Sequence, residues 1–228
     1  MKLKKKQIMS RLKGRLEKSY ILTFNKEESL YYEEEKLDAI SGATDSWGKN
    51  FTEGKKYKNV KSTNLTQNQE FYGKKFLIKD KLQNINWKIG SETKQIGNYT
   101  CLKATALIPE EDLTWYSFSW SKIRNNSASN LTKDKNQEIK MIKVEAWYTP
   151  QIPINNGPSS YWGLPGLILE VNTGNTTLLC YKIVMNPEDK VKIKAPEKGK
   201  IVTKKEYQEI IVTKMKEFRD IRTSRRRR

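Results

Sequence analysis

Glu145 and Glu170 are the two side chains whose type and spacing could perform acid–base chemistry. They flank the only long uncharged run of the chain, and they could face each other if their strands pair. Two carboxyl groups about 5–10 Å apart in a cleft can hydrolyse a glycosidic bond. The competing interpretation is that each glutamate forms a salt bridge with a lysine. We favour salt bridges, so a hydrolase that uses these two residues is kept only as an alternative.

Other catalytic classes are excluded by residue types and motifs that the sequence lacks. The chain contains no histidine, which removes the commonest general base and metal ligand and any Ser-His-Asp arrangement within it. Neither a Gly-x-Ser-x-Gly nucleophile motif nor a Gly-rich phosphate loop is present. Cys101 and Cys180 form no Cys-x-x-Cys pattern, so we expect no zinc site. We therefore predict a protein that is not an enzyme and that uses no metal or cofactor.

The uncharged run itself predicts two strands and a stiff connection. Four prolines interrupt the run, so it offers no stretch of about 20 apolar residues that could cross a membrane. We expect a strand over 141–148, a proline-rich connection, and a tight turn at 163–168 that leads into a second strand. Proline followed by glycine fits a type II turn with positive φ at Gly166. We expect a buried turn that locks the two strands; the alternative is that it rims a ligand mouth or a partner surface.

Several motifs of the chain carry a family resemblance. They are Gly163-Leu-Pro-Gly-Leu-Ile168, Ala146-Trp-Tyr-Thr-Pro-Gln-Ile-Pro153, Ile96-Gly-Asn-Tyr-Thr-Cys-Leu-Lys-Ala104 and Leu179-Cys-Tyr-Lys-Ile-Val184. With these motifs the chain resembles the GLPGLI family from about Ser19 to Glu217. That family is similar in distribution to envelope proteins of Bacteroidetes-type bacteria, and its function is unknown. The resemblance implies a periplasmic or outer-envelope location, although no apolar signal segment follows the basic start of the chain.

The resemblance also marks the candidate binding residues and a disulfide. The binding candidates are Trp147, Tyr148, Pro150, Trp162, Gly163, Leu164, Pro165, Gly166, Leu167 and Ile168. From the residues alone, Cys101 and Cys180 are either two buried thiols or one bridge. Both match cysteine positions of the family and export allows oxidation, so the resemblance implies a Cys101–Cys180 disulfide.

Charge is the remaining guide to partners. The net charge of +18 favours anionic partners such as nucleic acid. Lysine is interleaved along the predicted strands and is concentrated only at the termini, so we expect dispersed surface charge and no nucleic-acid partner. A basic polyanion-binding protein is an alternative. The predicted function is to bind an envelope protein or a lipid-like apolar ligand in a curved sheet, and no oligomeric state is predicted.

The pattern of elements predicts a mainly β fold. Roughly a dozen short strands with hairpin signals, and helices only near the ends, favour an antiparallel sheet. We expect a curled sheet or half-open barrel with a C-terminal helix packed on it and a basic N-terminal helix. Residues 1–17 form the basic helical segment, 18–218 a single antiparallel β domain, and 219–228 a basic disordered tail.

Local signals place individual elements. Gly97-Asn98 and Gly174-Asn175 predict hairpin turns, the second between strands at 167–172 and 176–185. Thr203-Lys-Lys-Glu206 is a capping box that opens the C-terminal helix. Residues 114–120 hold three aromatic side chains close together, and residues 191–194 are a further predicted strand.

Overall fold

The computed structural model describes residues 17–34, 53–120, 140–189 and 191–225. The predicted N-terminal helix lies outside these ranges except for Glu17. Within these ranges the chain forms one short helix, one long helix and eleven strands, and the strands are arranged in two sheets. The strands are β1 (Tyr20–Phe24), β2 (Glu28–Glu33), β3 (Lys56–Asn59), β4 (Asn64–Phe71), β5 (Lys74–Lys81), β6 (Lys88–Ile96), β7 (Tyr99–Pro109), β8 (Met141–Thr149), β9 (Leu167–Thr173), β10 (Thr176–Leu179) and β11 (Lys200–Val202). The helices are α1 (Glu110–Leu113) and α2 (Lys204–Arg225).

The first sheet has the strand order β1-β2-β3-β4-β5-β11. Its strands pair antiparallel except β11, which runs parallel to β5. The side chain of Asn25 forms the turn between β1 and β2 by accepting the backbone N–H groups of Glu27 and Glu28. Buried and less buried positions alternate along β4, as expected of a strand with one face on the core. β1 and β11 are therefore the two edges of this sheet.

The second sheet has the order β10-β9-β8-β7-β6 and is antiparallel throughout. Both predicted hairpin turns are confirmed, and their glycines, Gly97 and Gly174, have φ of +56° and +57°. The predicted strand, connection and second strand are confirmed as β8, residues 150–166 and β9. Residues 167–171 of β9 are all buried, so both faces of this strand are covered.

These observations confirm a mainly β fold with a C-terminal helix, and the sheets remain open. One apolar cluster joins β7, β8 and β9 through Ala104, Val144 and Ile168. A second cluster holds α2 against the first sheet through side chains that include Phe76, Trp115, Tyr207, Ile211 and Met215. No helix in the described part of the chain is long and apolar enough to cross a membrane.

The capping box of α2 is confirmed. The carboxylate of Glu206 accepts the Thr203 N–H at 2.7 Å, and the Thr203 hydroxyl accepts the Glu206 N–H at 3.2 Å. The apolar face of α2 is buried at Tyr207, Ile211 and Met215, while Phe218 is exposed. α2 continues through Arg225, so residues 219–225 are helical where a disordered tail was predicted.

The aromatic residues of 114–120 form no strand, and Trp115 packs edge-on against Tyr207 with ring centroids 5.8 Å apart. Two predicted strands differ from the structure. Residues 191–194 form no strand either, and β11 lies further along the chain. There Gly199 has φ of +133° and passes so close to β5 that a Cβ would lie 2.6 Å from the Phe76 carbonyl carbon. β10 ends at Leu179, well before the predicted end at Met185.

Candidate functional site

A groove of about 1460 Å³ lies between β1 and the chain that follows β10. Residues 18–26 form one wall of the groove. Residues 177–187, with Val191 and Ile193, form the other wall, and residues 167–169 of β9 line it between them. The groove therefore brings one edge of the first sheet opposite one edge of the second.

The β1 wall is an edge strand with apolar residues on both faces. All five of its residues, Tyr20 to Phe24, are half-buried. Within the described ranges β1 pairs only with β2. A strand at the edge of a sheet presents backbone N–H and C=O groups that can pair with another chain, so this wall offers hydrogen bonds as well as apolar contacts.

The opposite wall is extended chain with exposed apolar side chains. Pairing with β9 continues one residue beyond β10, where Cys180 N–H donates to the Leu169 carbonyl at 2.7 Å. Residues 181–189 then belong to no helix or strand. Of the twelve exposed large apolar side chains in the described ranges, five line this groove. They are Leu179, Tyr181, Val184, Met185 and Val191.

Four residues of the hexapeptide are buried, Leu164 and the run from Gly166 to Ile168, while Gly163 and Pro165 are exposed. Gly166 does not have a positive φ; within the hexapeptide it is Gly163 that does, at +98°. The type II turn prediction is therefore wrong. Gly166 N–H donates to the Leu164 carbonyl at 2.8 Å, and a Cβ on Gly166 would lie 2.2 Å from the Thr149 carbonyl oxygen. Glycine is required because the end of β8 passes too close for any side chain.

Two tryptophans fasten the connection to the rest of the domain. The indole N–H of Trp162 donates to the Gln83 carbonyl at 2.8 Å. The indole N–H of Trp87 donates to the Trp162 carbonyl at 2.7 Å. Together these two bonds hold Trp162 against the segment that leads into β6.

Two buried lysines of β3, which sequence reasoning missed, hold the same connection from the first sheet. Lys58 is fully buried, and its ammonium donates to the carbonyls of Gly157 at 2.6 Å and Tyr161 at 2.9 Å. Burial lowers the pKa of Lys58 well below its usual value, and the neighbouring charge of Lys56 lowers it further, against a smaller opposing effect of Glu53. The alternation of residues along β3 places both lysines on one face of the sheet. Sequence reasoning assigns such a face to the solvent, because lysine side chains are normally exposed.

The ten candidate binding residues are only partly brought to the groove. Leu167 and Ile168 line it, and the other eight do not. Trp147 and Tyr148 are buried in β8 in two different apolar clusters. Leu164 and Gly166 are buried in the turn, Pro150 and Pro165 are exposed, and Trp162 and Gly163 contact Trp87.

The two candidate carboxylates lie in ion pairs away from the groove. Glu145 is 3.1 Å from the Lys103 ammonium, and Glu170 is 2.6 Å from the Lys94 ammonium. Both ammonium groups also lie over the Trp147 ring, 5.6 Å and 5.4 Å from its centroid. The arrangement is that of two lysine salt bridges on one face of the second sheet. No group of three metal-ligating side chains occurs among the residues that the structure describes.

The two cysteines are free, so the structure corrects the expected disulfide. Both belong to one apolar cluster, but each thiol points to a nearby carbonyl. Cys101 Sγ lies 3.8 Å from the Tyr99 oxygen, and Cys180 Sγ lies 3.5 Å from the Lys182 oxygen. Burial raises the pKa of Cys101 to about 11 and also raises the pKa of Cys180.

Comparison with known families covers β6 to β9 and the connection described above. Residues 87–170 match the family model described as "Protein of unknown function (Porph_ging)". This finding corrects the resemblance to the GLPGLI family, for which no comparison gives support. The match covers well under half of the chain, and the periplasmic or outer-envelope location stays a prediction.

One solved structure shows a likeness in fold. The structure of PNGF-II in space group C2 aligns with a TM-score of 0.51 and 18% identity, over 86% of this chain and 30% of that one. PNGF-II in space group P21 aligns with a TM-score of 0.42 and 18% identity, over 71% and 23%. The chain thus spans less than a third of the length of these structures. No curated protein matches it.

Proposed function

We propose that this chain is a binding domain whose groove takes an extended apolar segment of a partner protein as an added strand. The observation that carries the proposal is the groove itself, in which two sheet edges face each other across exposed apolar side chains. Addition of a strand to a free sheet edge is a common mode of peptide recognition. Main-chain hydrogen bonds supply affinity, and alternate side chains supply specificity.

The dimensions of the groove favour a polypeptide over a compact ligand. Small-molecule sites usually measure about 300–1,000 Å³, and this groove measures about 1460 Å³. The groove also runs along the whole of β1 and past both of its ends, from Lys18 to Lys26. An extended segment can contact such a length continuously, whereas a compact ligand leaves much of it wet.

The exposed side chains supply a driving force. Tyr181 is 77% exposed, and Val184 and Leu179 are 58% and 55% exposed. Complete burial of a large apolar side chain contributes about 1.5–3 kcal/mol. Since each of these is already partly covered, its further burial under a bound segment contributes about 1 kcal/mol.

The test uses the purified 228-residue chain and a ten-residue peptide that alternates valine with threonine and lysine. We expect titration calorimetry to detect binding, and hydrogen exchange to show new protection of the β1 amides. Leu179→Lys and Val184→Lys should each weaken binding by at least about tenfold, since a charge would enter the apolar interface. Leu107→Lys is the matched control, because Leu107 is 62% exposed and does not line the groove.

Other occupants give different results. Palmitate that binds in the groove without protection of the β1 amides would identify a lipid-like ligand and refute strand addition. Peptide binding that Leu179→Lys leaves unchanged, or that Leu107→Lys weakens equally, would place the peptide elsewhere.

The two alternative functions receive less support. The ion pairs of the described lysines and arginines are spread over both sheets and α2, which favours dispersed charge over a single face for a polyanion. A hydrolase using Glu145 and Glu170 would have to release both carboxylates from their lysines.

A further inference from the structure

A second, smaller cavity lies between the two sheets, apart from the catalytic candidates of the sequence. Its volume is about 350 Å³, within the usual range for small-molecule sites. Four tyrosines line it, namely Tyr20, Tyr31, Tyr116 and Tyr161. Glu53, Ser159 and Ser160 contribute the polar groups that matter here.

Ser159 is held between a carboxylate and an ammonium group. Its hydroxyl donates to Glu53 Oε2 at 3.0 Å and accepts from the Lys56 ammonium at 2.8 Å. Lys56 is itself fully buried, and it also donates to Glu53 Oε1 at 2.7 Å and to the Ser160 hydroxyl at 2.9 Å. An acceptor for the serine proton, with a cation that stabilises the resulting oxyanion, is the arrangement that activates a serine nucleophile.

The backbone of Ser159 is also unusual. Its φ of +47° lies in the left-handed region, which residues other than glycine rarely adopt. Such a conformation costs about 1–3 kcal/mol and persists where the surroundings enforce it. The Tyr161 N–H donates to the Pro158 carbonyl at 3.0 Å around this turn, and Lys56 and Glu53 hold the Ser159 hydroxyl, which lines the cavity.

We propose that Ser159 is a nucleophile for acyl transfer from a small ester, with Glu53 as its general base. Ser159 Oγ attacks the ester carbonyl carbon, and the proton of the hydroxyl passes to Glu53 Oε2. The new C–Oγ bond forms, the bond from carbon to the leaving alkoxide breaks, and Glu53 returns the proton to that alkoxide. Water then attacks the acyl-serine, again giving its proton to Glu53, and Ser159 Oγ leaves and regains the proton.

The rest of the cavity defines the class of substrate. Tyr20 and Tyr31 stack with ring centroids 5.0 Å apart. Burial raises the pKa of Tyr20 to about 12 and that of Tyr116 above its usual value, so their rings are neutral at physiological pH. A wall of neutral aromatic rings suits an apolar acyl group, and the size of the cavity limits the ester to a small one. The cavity shares Tyr20, Tyr31 and Leu178 with the groove, but Ser159 and Glu53 line the cavity alone. Its test reads covalent modification of Ser159, which strand binding does not produce.

The experiment treats the purified full chain with a biotinylated fluorophosphonate and follows the intact mass. The probe should add once, with loss of fluoride, and peptide mapping should place it on Ser159. Ser159→Ala should abolish labelling. Glu53→Gln should slow it by about 100-fold or more, the usual effect of removing a general base. Ser62→Ala is the matched control and should label normally, because Ser62 is exposed and does not line the cavity.

Several results would overturn the proposal. They are no adduct on the folded wild-type protein, an adduct on a different serine, or an unchanged labelling rate in Glu53→Gln. Thermal melting of each variant keeps the comparison sound: if Ser159→Ala does not fold, Glu53→Gln and the mapped position on the wild type still decide. Labelling that persists after heat denaturation would also count against a built site.

Discussion

Substitution of Gly166 by alanine should destabilise the domain through a single methyl group. An ideal Cβ at this position would lie 2.2 Å from the Thr149 carbonyl oxygen, 2.6 Å from its carbon and 3.0 Å from the Pro150 nitrogen. All three are backbone atoms, so no side-chain rotation relieves the contact. The end of β8 and the start of β9 would have to separate, at the point where Thr149 pairs with Leu167.

The magnitude follows from the cost of overpacking. Extra atoms forced into a well-packed region typically cost 1–3 kcal/mol, and a clash with backbone belongs at the upper end. We therefore expect a loss of about 3 kcal/mol, which lowers the Tm of a chain of this size by about 6–12 °C. Gly90→Ala is the control, because its Cβ would lie 3.5 Å from the Lys103 oxygen, an ordinary contact.

The assay is thermal unfolding followed by circular dichroism on wild type and both variants. Gly90→Ala should change the Tm by no more than about 2–4 °C, corresponding to about 1 kcal/mol. If Gly166→Ala melts together with Gly90→Ala, the close approach of β8 is not what requires glycine in this turn, and the argument fails.

Two further predictions concern buried titratable groups. The pKa of Lys58 is lowered below its usual value of 10.5 in the folded chain. At any pH between the folded and the usual pKa, the unfolded chain therefore binds a proton at Lys58 that the folded chain lacks. The difference in unfolding free energy between wild type and Lys58→Met should then rise with pH, by up to about 1.4 kcal/mol per pH unit. Urea unfolding of both proteins at pH 7, 8 and 9 measures this difference, and a difference that does not change with pH would contradict the prediction. The second prediction concerns the free thiols: iodoacetamide at pH 8 should modify half-buried Cys180 faster than fully buried Cys101. Unfolding in urea should accelerate the modification of both cysteines. If the protein purified without reductant accepts no alkylation, the thiols are oxidised and the prediction fails.

Local sequence signals predicted the elements that local chemistry determines. The hairpin glycines at 97 and 174 have left-handed φ, and the Thr203–Glu206 capping box starts α2 as expected. The Pro-rich connection between β8 and β9 was also predicted, since its prolines exclude a continuous helix. In each case the deciding residues lie within a few positions of the structure they determine.

Features that depend on distant residues could not be predicted in this way. Trp115 is buried because its ring packs on Tyr207, far along the chain. Lys58 is buried because carbonyls of the connection accept its ammonium protons. The groove is likewise a meeting of β1 with residues after β10. The sequence predicted β1 and the start of β10, but not that these two edges would face each other.

The parallel pairing of β11 with β5 has a consequence for biosynthesis. β5 ends at Lys81 and β11 comes from residues 200–202, so this edge of β5 stays without β11 while residues 82–199 are synthesised. Nascent domains fold from the N-terminus while the ribosome is still adding residues, and a bare edge in that interval can recruit a neighbouring nascent chain. Soluble yield should therefore depend on how quickly β11 follows β5 out of the ribosome.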